Sequence, residues 1–235
     1  MSRTPLAAVL LDLDGTLLDS APDLIGALNR LRDEEGLPAL PDALVRPQVS
    51  NGAVAVLRVG FPDVEGAAFD ALRDRFLALY REHLCDQTRL FPGFDTVLAR
   101  LETAGIPWGI ITNKAGWLTE PLLALLNLQH RAGCVLSGDS LPERKPHPRP
   151  LLVAAERIGV PPARCLYLGD ALRDLQAAQA AGMVGLVARY GYIDPLDTPE
   201  QWPAAGMLDS PLELLPWVGL AAAPATPPAP HTVTA

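Results

Sequence analysis

From residue 95 onward the chain repeats one unit. An amphipathic stretch is followed by a short break and then an apolar run: "DTVLARLETAG" before "IPWGIITN", "EPLLALLNL" before "CVLS", "PLLVAAERIG" before "RCLYLGD", and "LQAAQAAG" before "MVGLVARY". Apolar residues at helical spacing predict helices, and short apolar runs without alternation predict strands buried on both faces. Helix and strand alternating through such short links build an open parallel sheet with helices on its faces.

A first strand of the same kind, "LAAVLLDLD", stands far upstream at residues 6–14. Between it and the repeats lies a mostly helical stretch. "SAPD" at 20–23 predicts a helix start, with Ser20 as the cap, Asp23 as its partner in a capping box, and Leu24, Leu28 and Leu31 on one face. A second helix is predicted over 65–84, with Phe69, Leu72, Phe76, Leu79 and His83 on one side. Prolines and glycines cut the segment between them into short helices and turns. The expected architecture is an α/β protein, a Rossmann-like core of residues 1–16 and 89–218 with a helical cap of residues 17–88 inserted after its first strand. The Ala/Pro-rich tail, 219–235, has no periodic pattern and is expected to be disordered.

The net charge of −8 disfavours nucleic acid or an anionic membrane as a partner. Three widely spaced cysteines, Cys85, Cys134 and Cys165, provide neither a disulfide framework nor a zinc site. No signal peptide or span-length apolar segment is visible, so the expected location is the cytoplasm.

In an open parallel sheet, ligands bind outside the carboxyl ends of the strands. The polar residues collect there. Asp12 and Asp14 follow the first strand, Thr112 and Asn113 the second, and Asp170 follows "CLYLG"; Lys145 lies in the loop after the third strand. With Asp174, these residues crowd four carboxylates into one crevice, and such groups do not all ionise cheaply. A hard cation such as Mg²⁺ and the lysine are the available remedies. A cation, a lysine, the Thr112 hydroxyl, the Asn113 amide and the backbone N–H groups of the "DLDGT" turn together make a socket for a phosphoryl group. Gly15 lets that turn approach closely.

Four ordered motifs carry a resemblance: "DLDGT" at 12–16, "ITN" ending at 113, "RKPHPRP" at 144–150 and "GDALRD" at 169–174. The chain resembles the haloacid dehalogenase superfamily, in particular its phosphatases with a helical cap after strand one. Within them it is similar to the phosphoglycolate phosphatase group and, through "IPWGIITNK" and "RYGYIDP", to the branch acting on N-acetylmuramic acid 6-phosphate. The resemblance implies that Asp12 attacks phosphorus and becomes an aspartyl phosphate. It implies that Asp14 protonates the leaving alkoxide and then activates water. It assigns Mg²⁺ to Asp12, Asp170 and the backbone carbonyl of Asp14, the phosphoryl oxygens to Thr112 and Lys145, and a supporting role to Asp174.

Three rivals share parts of this pattern. A haloalkanoic acid dehalogenase would lack the second aspartate. A sugar phosphomutase would keep the whole cluster but exclude water. A non-catalytic regulator would have no use for an acid–base at Asp14. The expected partner is a small phosphorylated metabolite carrying a carboxylate, handled by a monomer or homodimer. Two segments are expected to select it: the cap turn Ser50, Asn51, Gly52, and the loop from Arg189 to Tyr192, with Arg189 as the carboxylate's partner.

Overall fold

A computed structural model describes residues 5–221. Ala8–Leu11 (β1) place four apolar side chains in a row, and all four are buried. Val9 and Leu11 pack into one hydrophobic cluster and Ala8 and Leu10 into another. That is the two-faced burial a central parallel strand requires. The chain then turns through residues 12–17 into a two-residue strand, Leu18–Asp19 (β2), and enters the helical insert.

The insert holds α1 (Ala21–Glu34), a one-turn α2 (Asp42–Val45), a 3₁₀ turn (Arg46–Gln48), α3 (Ala53–Gly60) and α4 (Gly66–Glu82). Leu24, Ile25, Leu28 and Leu31 of α1 are buried, as are Phe69, Phe76, Leu79 and Tyr80 of α4. They join the same apolar cluster as Val9 and Leu11, so the insert packs on one face of the core. The chain returns through Arg89–Leu90 (β3), which pairs antiparallel with β2. This ribbon carries the two crossings between insert and core. At two residues a strand it is too short to show a period.

The core then alternates helix and strand through α5 (Phe94–Thr103), β4 (Trp108–Ile111), α6 (Gly116–Leu125), β5 (Cys134–Leu136), α7 (Arg149–Ile158), β6 (Cys165–Gly169), α8 (Leu172–Ala180) and β7 (Val184–Ala188), and a last strand, β8 (Gly206–Leu208), follows without an α-helix before it. The sheet order is β5-β4-β1-β6-β7-β8, and every pairing in it is parallel. Its architecture is α/β, with a parallel core sheet and an inserted helical cap. β8 has no counterpart in the sequence reading, because three residues led by a glycine show no apolar run. Cys85, Cys134 and Cys165 are free thiols. No helix among the described residues is long and apolar enough to cross a membrane.

Three local expectations are corrected. Ser20 does not cap α1. Its backbone is in the helical region, not extended as a cap's is, and its hydroxyl donates to Asp14 Oδ1 at 2.5 Å. The free N–H of Ala21 goes instead to the Tyr192 hydroxyl, 2.9 Å away. Asp23 turns from the helix end to the returning chain, accepting from the N–H groups of Gln87 and Thr88 and from the Thr88 hydroxyl. His83 lies just past the end of α4, half-exposed, and its ring meets Asp86 at 2.9 Å. Of the tail, residues 219–221 are placed: Gly219 ends a 3₁₀ helix in the left-handed region, Leu220 packs on the core, and the Ala221 carbonyl accepts from Arg100. The remainder of the predicted disordered tail lies outside the described residues.

Candidate active site

β4, β1 and β6 are neighbours at the centre of the sheet, so the residues leaving their carboxyl ends meet. Asp12 and Asp14 leave β1, Thr112 leaves β4, and Asp170 leaves β6. The loop between β5 and α7 brings Lys145 beneath them. Its side chain is 1% exposed, with Nζ 2.7 Å from Asp12 Oδ1 and 2.7 Å from Asp174 Oδ1. It also donates to the Ile111 carbonyl and the Tyr167 hydroxyl. These four acceptors replace the water a buried ammonium gives up and exceed its three N–H groups by one. Burial opposes the charge on Lys145, but Asp12 and Asp174 outweigh it and hold the pKa above its ordinary value.

Asn113 places its side-chain amide on this lysine's backbone. Nδ2 donates to the Lys145 carbonyl at 3.0 Å, and Oδ1 accepts its N–H at 3.2 Å. The amide expected to face phosphate therefore clamps the lysine loop. Asp174, in the first turn of α8, gives one oxygen to Lys145 and the other to the Ala171 N–H.

The carboxylates are crowded. Oxygens of Asp12, Asp170 and Asp174 lie within 4.8 Å of one another. Burial, then Asp174, pushes the Asp12 pKa up to about 7 against the opposing pull of Lys145. The same two causes push Asp170 up to about 6. The turn after β1 is held open by a glycine: Gly15 has φ +79°, and a Cβ there would fall 2.1 Å from Asp170 Oδ2. The buried carboxylates of Asp12, Asp170 and Asp174, with Asp14 above them, outnumber the nearby cations Lys145, Lys114 and Arg173. This donor set, all oxygen with surplus negative charge, fits a hard divalent cation.

The cap covers the crevice and leaves a partly open cavity of about 240 Å³. Its floor is Asp12, Asp14 and Thr112. Its roof includes Leu24, Leu77, Tyr80 and the turn Ser50–Asn51–Gly52. Ser50 reaches across to the core: its hydroxyl donates to Asp170 Oδ2 at 2.5 Å and stands 3.5 Å from the Asp14 carbonyl. Arg173 ties the same turn to α8 through the Ser50 carbonyl and Asn51 Oδ1. Tyr192 supports the floor from outside the cavity. Its N–H donates to Asp170 Oδ2 at 2.9 Å and its hydroxyl to Asp19 at 2.5 Å. Arg189 is elsewhere. Its half-exposed guanidinium grips Asp209 through both oxygens and does not line the cavity.

Sequence reasoning passed over Lys114. It follows Asn113 directly, and its ammonium sits 3.1 and 3.2 Å from the two oxygens of Asp14 and 2.8 Å from the Tyr80 hydroxyl. Its place in "ITNK" was the available signal. Tyr80, on the cap, carried none.

Haloacid dehalogenase-like hydrolases match residues 9–188, a stretch running from β1 to the end of β7 and holding every residue of the crevice. The chain belongs to that family. This enzyme is a phosphatase of that family. It is 48% identical over 207 residues to the phosphoglycolate phosphatase of Xanthomonas campestris pv. campestris strain 8004, covering 88% of this chain and 94% of that one. It is 39% identical over 216 residues to the N-acetylmuramic acid 6-phosphate phosphatase of Pseudomonas aeruginosa PAO1, covering 92% and 96%. The crystal structure of a predicted phosphoglycolate phosphatase from Haemophilus somnus superposes with a TM-score of 0.79 at 29% identity, covering 89% of this chain and 96% of that one.

The crowding predicts a pH signature in the hydrolase without its metal. Asp12 and Asp170 titrate near 7 and 6 when folded and near 3.8 when unfolded. Between those values the folded state binds more protons, so stability falls as pH rises. In EDTA the melting temperature is expected to drop from pH 5 to pH 8. Mg²⁺ at about 100 times its Kd adds about 2.7 kcal/mol, or roughly 5–10 °C at this chain length. That gain should grow with pH. A melting temperature indifferent to Mg²⁺ at pH 8 would contradict a cation site here.

Proposed function

We propose that this enzyme is a Mg²⁺-dependent phosphomonoester hydrolase whose preferred substrate is 2-phosphoglycolate. The observation that carries the reading is Asp12 and Asp14 together on the floor of a cavity beneath the cap, with Lys145 fixed against Asp12. The cation would be held by Asp12, Asp170 and the Asp14 carbonyl, since Asp174 has given both oxygens to Lys145 and α8. When bound, Mg²⁺ supplies positive charge for the phosphoryl oxygens.

The chain's residues do the rest. A carboxylate oxygen of Asp12 attacks phosphorus, and the bond to the ester oxygen breaks. Asp14 gives that oxygen a proton, so the product leaves as a neutral hydroxyl. Water then attacks the aspartyl phosphate, losing its proton to Asp14, and Asp12 is restored. Lys145 and the Thr112 hydroxyl hold the phosphoryl oxygens. Asn113 serves by positioning Lys145, and Ser50, Asn51 and Gly52 exclude water from above.

A cavity of about 240 Å³ lies below the roughly 300–1,000 Å³ usual for drug-sized ligands. It has room for a two-carbon ester, and the higher identity to the Xanthomonas phosphoglycolate phosphatase than to the Pseudomonas enzyme favours that substrate. Likeness to the Pseudomonas enzyme supports the second reading, hydrolysis of N-acetylmuramic acid 6-phosphate.

Steady-state rates on both esters, ethyl phosphate and p-nitrophenyl phosphate decide between them. We expect 2-phosphoglycolate to lead in kcat/KM, with all activity lost in EDTA. A lead for the sugar phosphate selects the second reading, and no hydrolysis of any ester removes both. Arg189→Ala should change none of these rates by more than about twofold, the ordinary result for an exposed ion pair away from the site.

A further inference from the structure

Asp14 is the acid that must face the ester oxygen, so whatever touches Asp14 also lies beside the first atoms of the leaving group. Of the groups that touch it, the Ser20 hydroxyl does not line the cavity and Lys114 does, with Nζ at 3.1 and 3.2 Å from its two oxygens. Nζ thus pairs with both oxygens of the carboxylate, and the Tyr80 hydroxyl, 2.8 Å away, accepts from it as well. Tyr80 accepts from Lys114 and keeps its own O–H to donate. A cation from the core and a hydroxyl donor from the cap thus converge beside Asp14 in the cavity.

The other cation lining this cavity is Arg173, whose guanidinium turns to the Ser50 carbonyl and Asn51 Oδ1 and not to Asp14. Lys145 lies deeper, bound to Asp12 and Asp174. We propose that Lys114 and the Tyr80 hydroxyl form the seat for a carboxylate attached two bonds from the substrate's ester oxygen, so that this site selects O-phosphorylated 2-hydroxy acids. The inference rests on the phosphatase reading above and extends it to a residue. A carboxylate at this distance reaches Nζ while the ester oxygen stays on Asp14. One more methylene carries it past, and the carboxylate of N-acetylmuramic acid 6-phosphate is several bonds too far. The flexible lysine stem lets Nζ hold Asp14 and the substrate at once.

The experiment compares kcat/KM for 2-phosphoglycolate, ethyl phosphate (the same skeleton without the carboxylate) and 3-phosphopropionate (one methylene longer). Wild-type enzyme is expected to prefer 2-phosphoglycolate over either by tenfold or more. In Lys114→Met both simple esters slow, but the preference for 2-phosphoglycolate over ethyl phosphate falls by about 30-fold, mostly through KM. Lys114→Arg should restore part of that preference, and Tyr80→Phe should lower it by about threefold to tenfold. Equal losses on both esters in Lys114→Met would make Lys114 a positioner of Asp14 only and overturn the proposal. Should Lys114→Met fail to fold, judged by circular dichroism, the wild-type chain-length series and Tyr80→Phe decide it. A wild-type enzyme that hydrolyses all three esters alike overturns the carboxylate seat but leaves the phosphatase reading standing; one that hydrolyses none removes both.

Discussion

Asp12→Asn is expected to lower kcat by roughly 10⁴-fold or more and to abolish covalent labelling, because the amide is not a nucleophile and nothing else on the cavity floor replaces it. The substitution keeps the shape of a buried side chain, so the fold should survive. Rapid-quench experiments with a labelled phosphoester read the intermediate directly. Wild-type enzyme should accumulate labelled protein when hydrolysis of the intermediate is slow. Asp14→Asn, which keeps the nucleophile, should still take up label from an ester with a good leaving group such as p-nitrophenolate. Stoichiometric labelling of a folded Asp12→Asn protein would place the nucleophile elsewhere.

The second large effect is on stability as well as rate. Lys145→Met leaves Asp12 and Asp174 facing each other, both buried and neither compensated. Breaking a buried ion pair from one side costs about 3–5 kcal/mol, which at this chain length lowers the melting temperature by roughly 10 °C. The deficit should shrink as pH falls from 8 to 5. Asp12 titrates at about 7 in the intact site, and a protonated carboxyl no longer needs the lysine. Adding Asp174→Asn to Lys145→Met should recover part of the loss, since it removes one of the stranded charges. Catalysis should fall by about 10²–10³-fold, the usual effect of deleting one group that stabilises developing charge. A Lys145→Met protein melting at the wild-type temperature would show that the lysine carries little of the crevice's charge balance.

Much of this architecture was legible in the sequence because it rests on local and repeated features. A strand buried on both faces must be apolar throughout, so β1, β4, β6 and β7 stand out as short unbroken runs. Helices covering such a sheet must repeat apolar residues at their own period, so α5, α7 and α8 stand out between them. A polar residue directly after a buried run marks the strand's end, and parallel strands place those ends on one side. The strand-end positions of Asp12, Thr112 and Asp170 follow from that reasoning alone.

What only the tertiary structure decided is which polar group meets which. Ser20 stands where a helix cap belongs, yet packing brings Asp14 within its reach and the longer-range bond wins. Asn113 turns to Lys145, 32 residues away. Arg189 turns to Asp209 and leaves the crevice, because β8 runs beside β7 and carries that carboxylate to its strand end. Lys114 gains its place only when α4 lays Tyr80 over the core. Hydrophobic periodicity belongs to each segment and can be read within it. A hydrogen bond belongs to a pair, and its second member is chosen by how the segments pack.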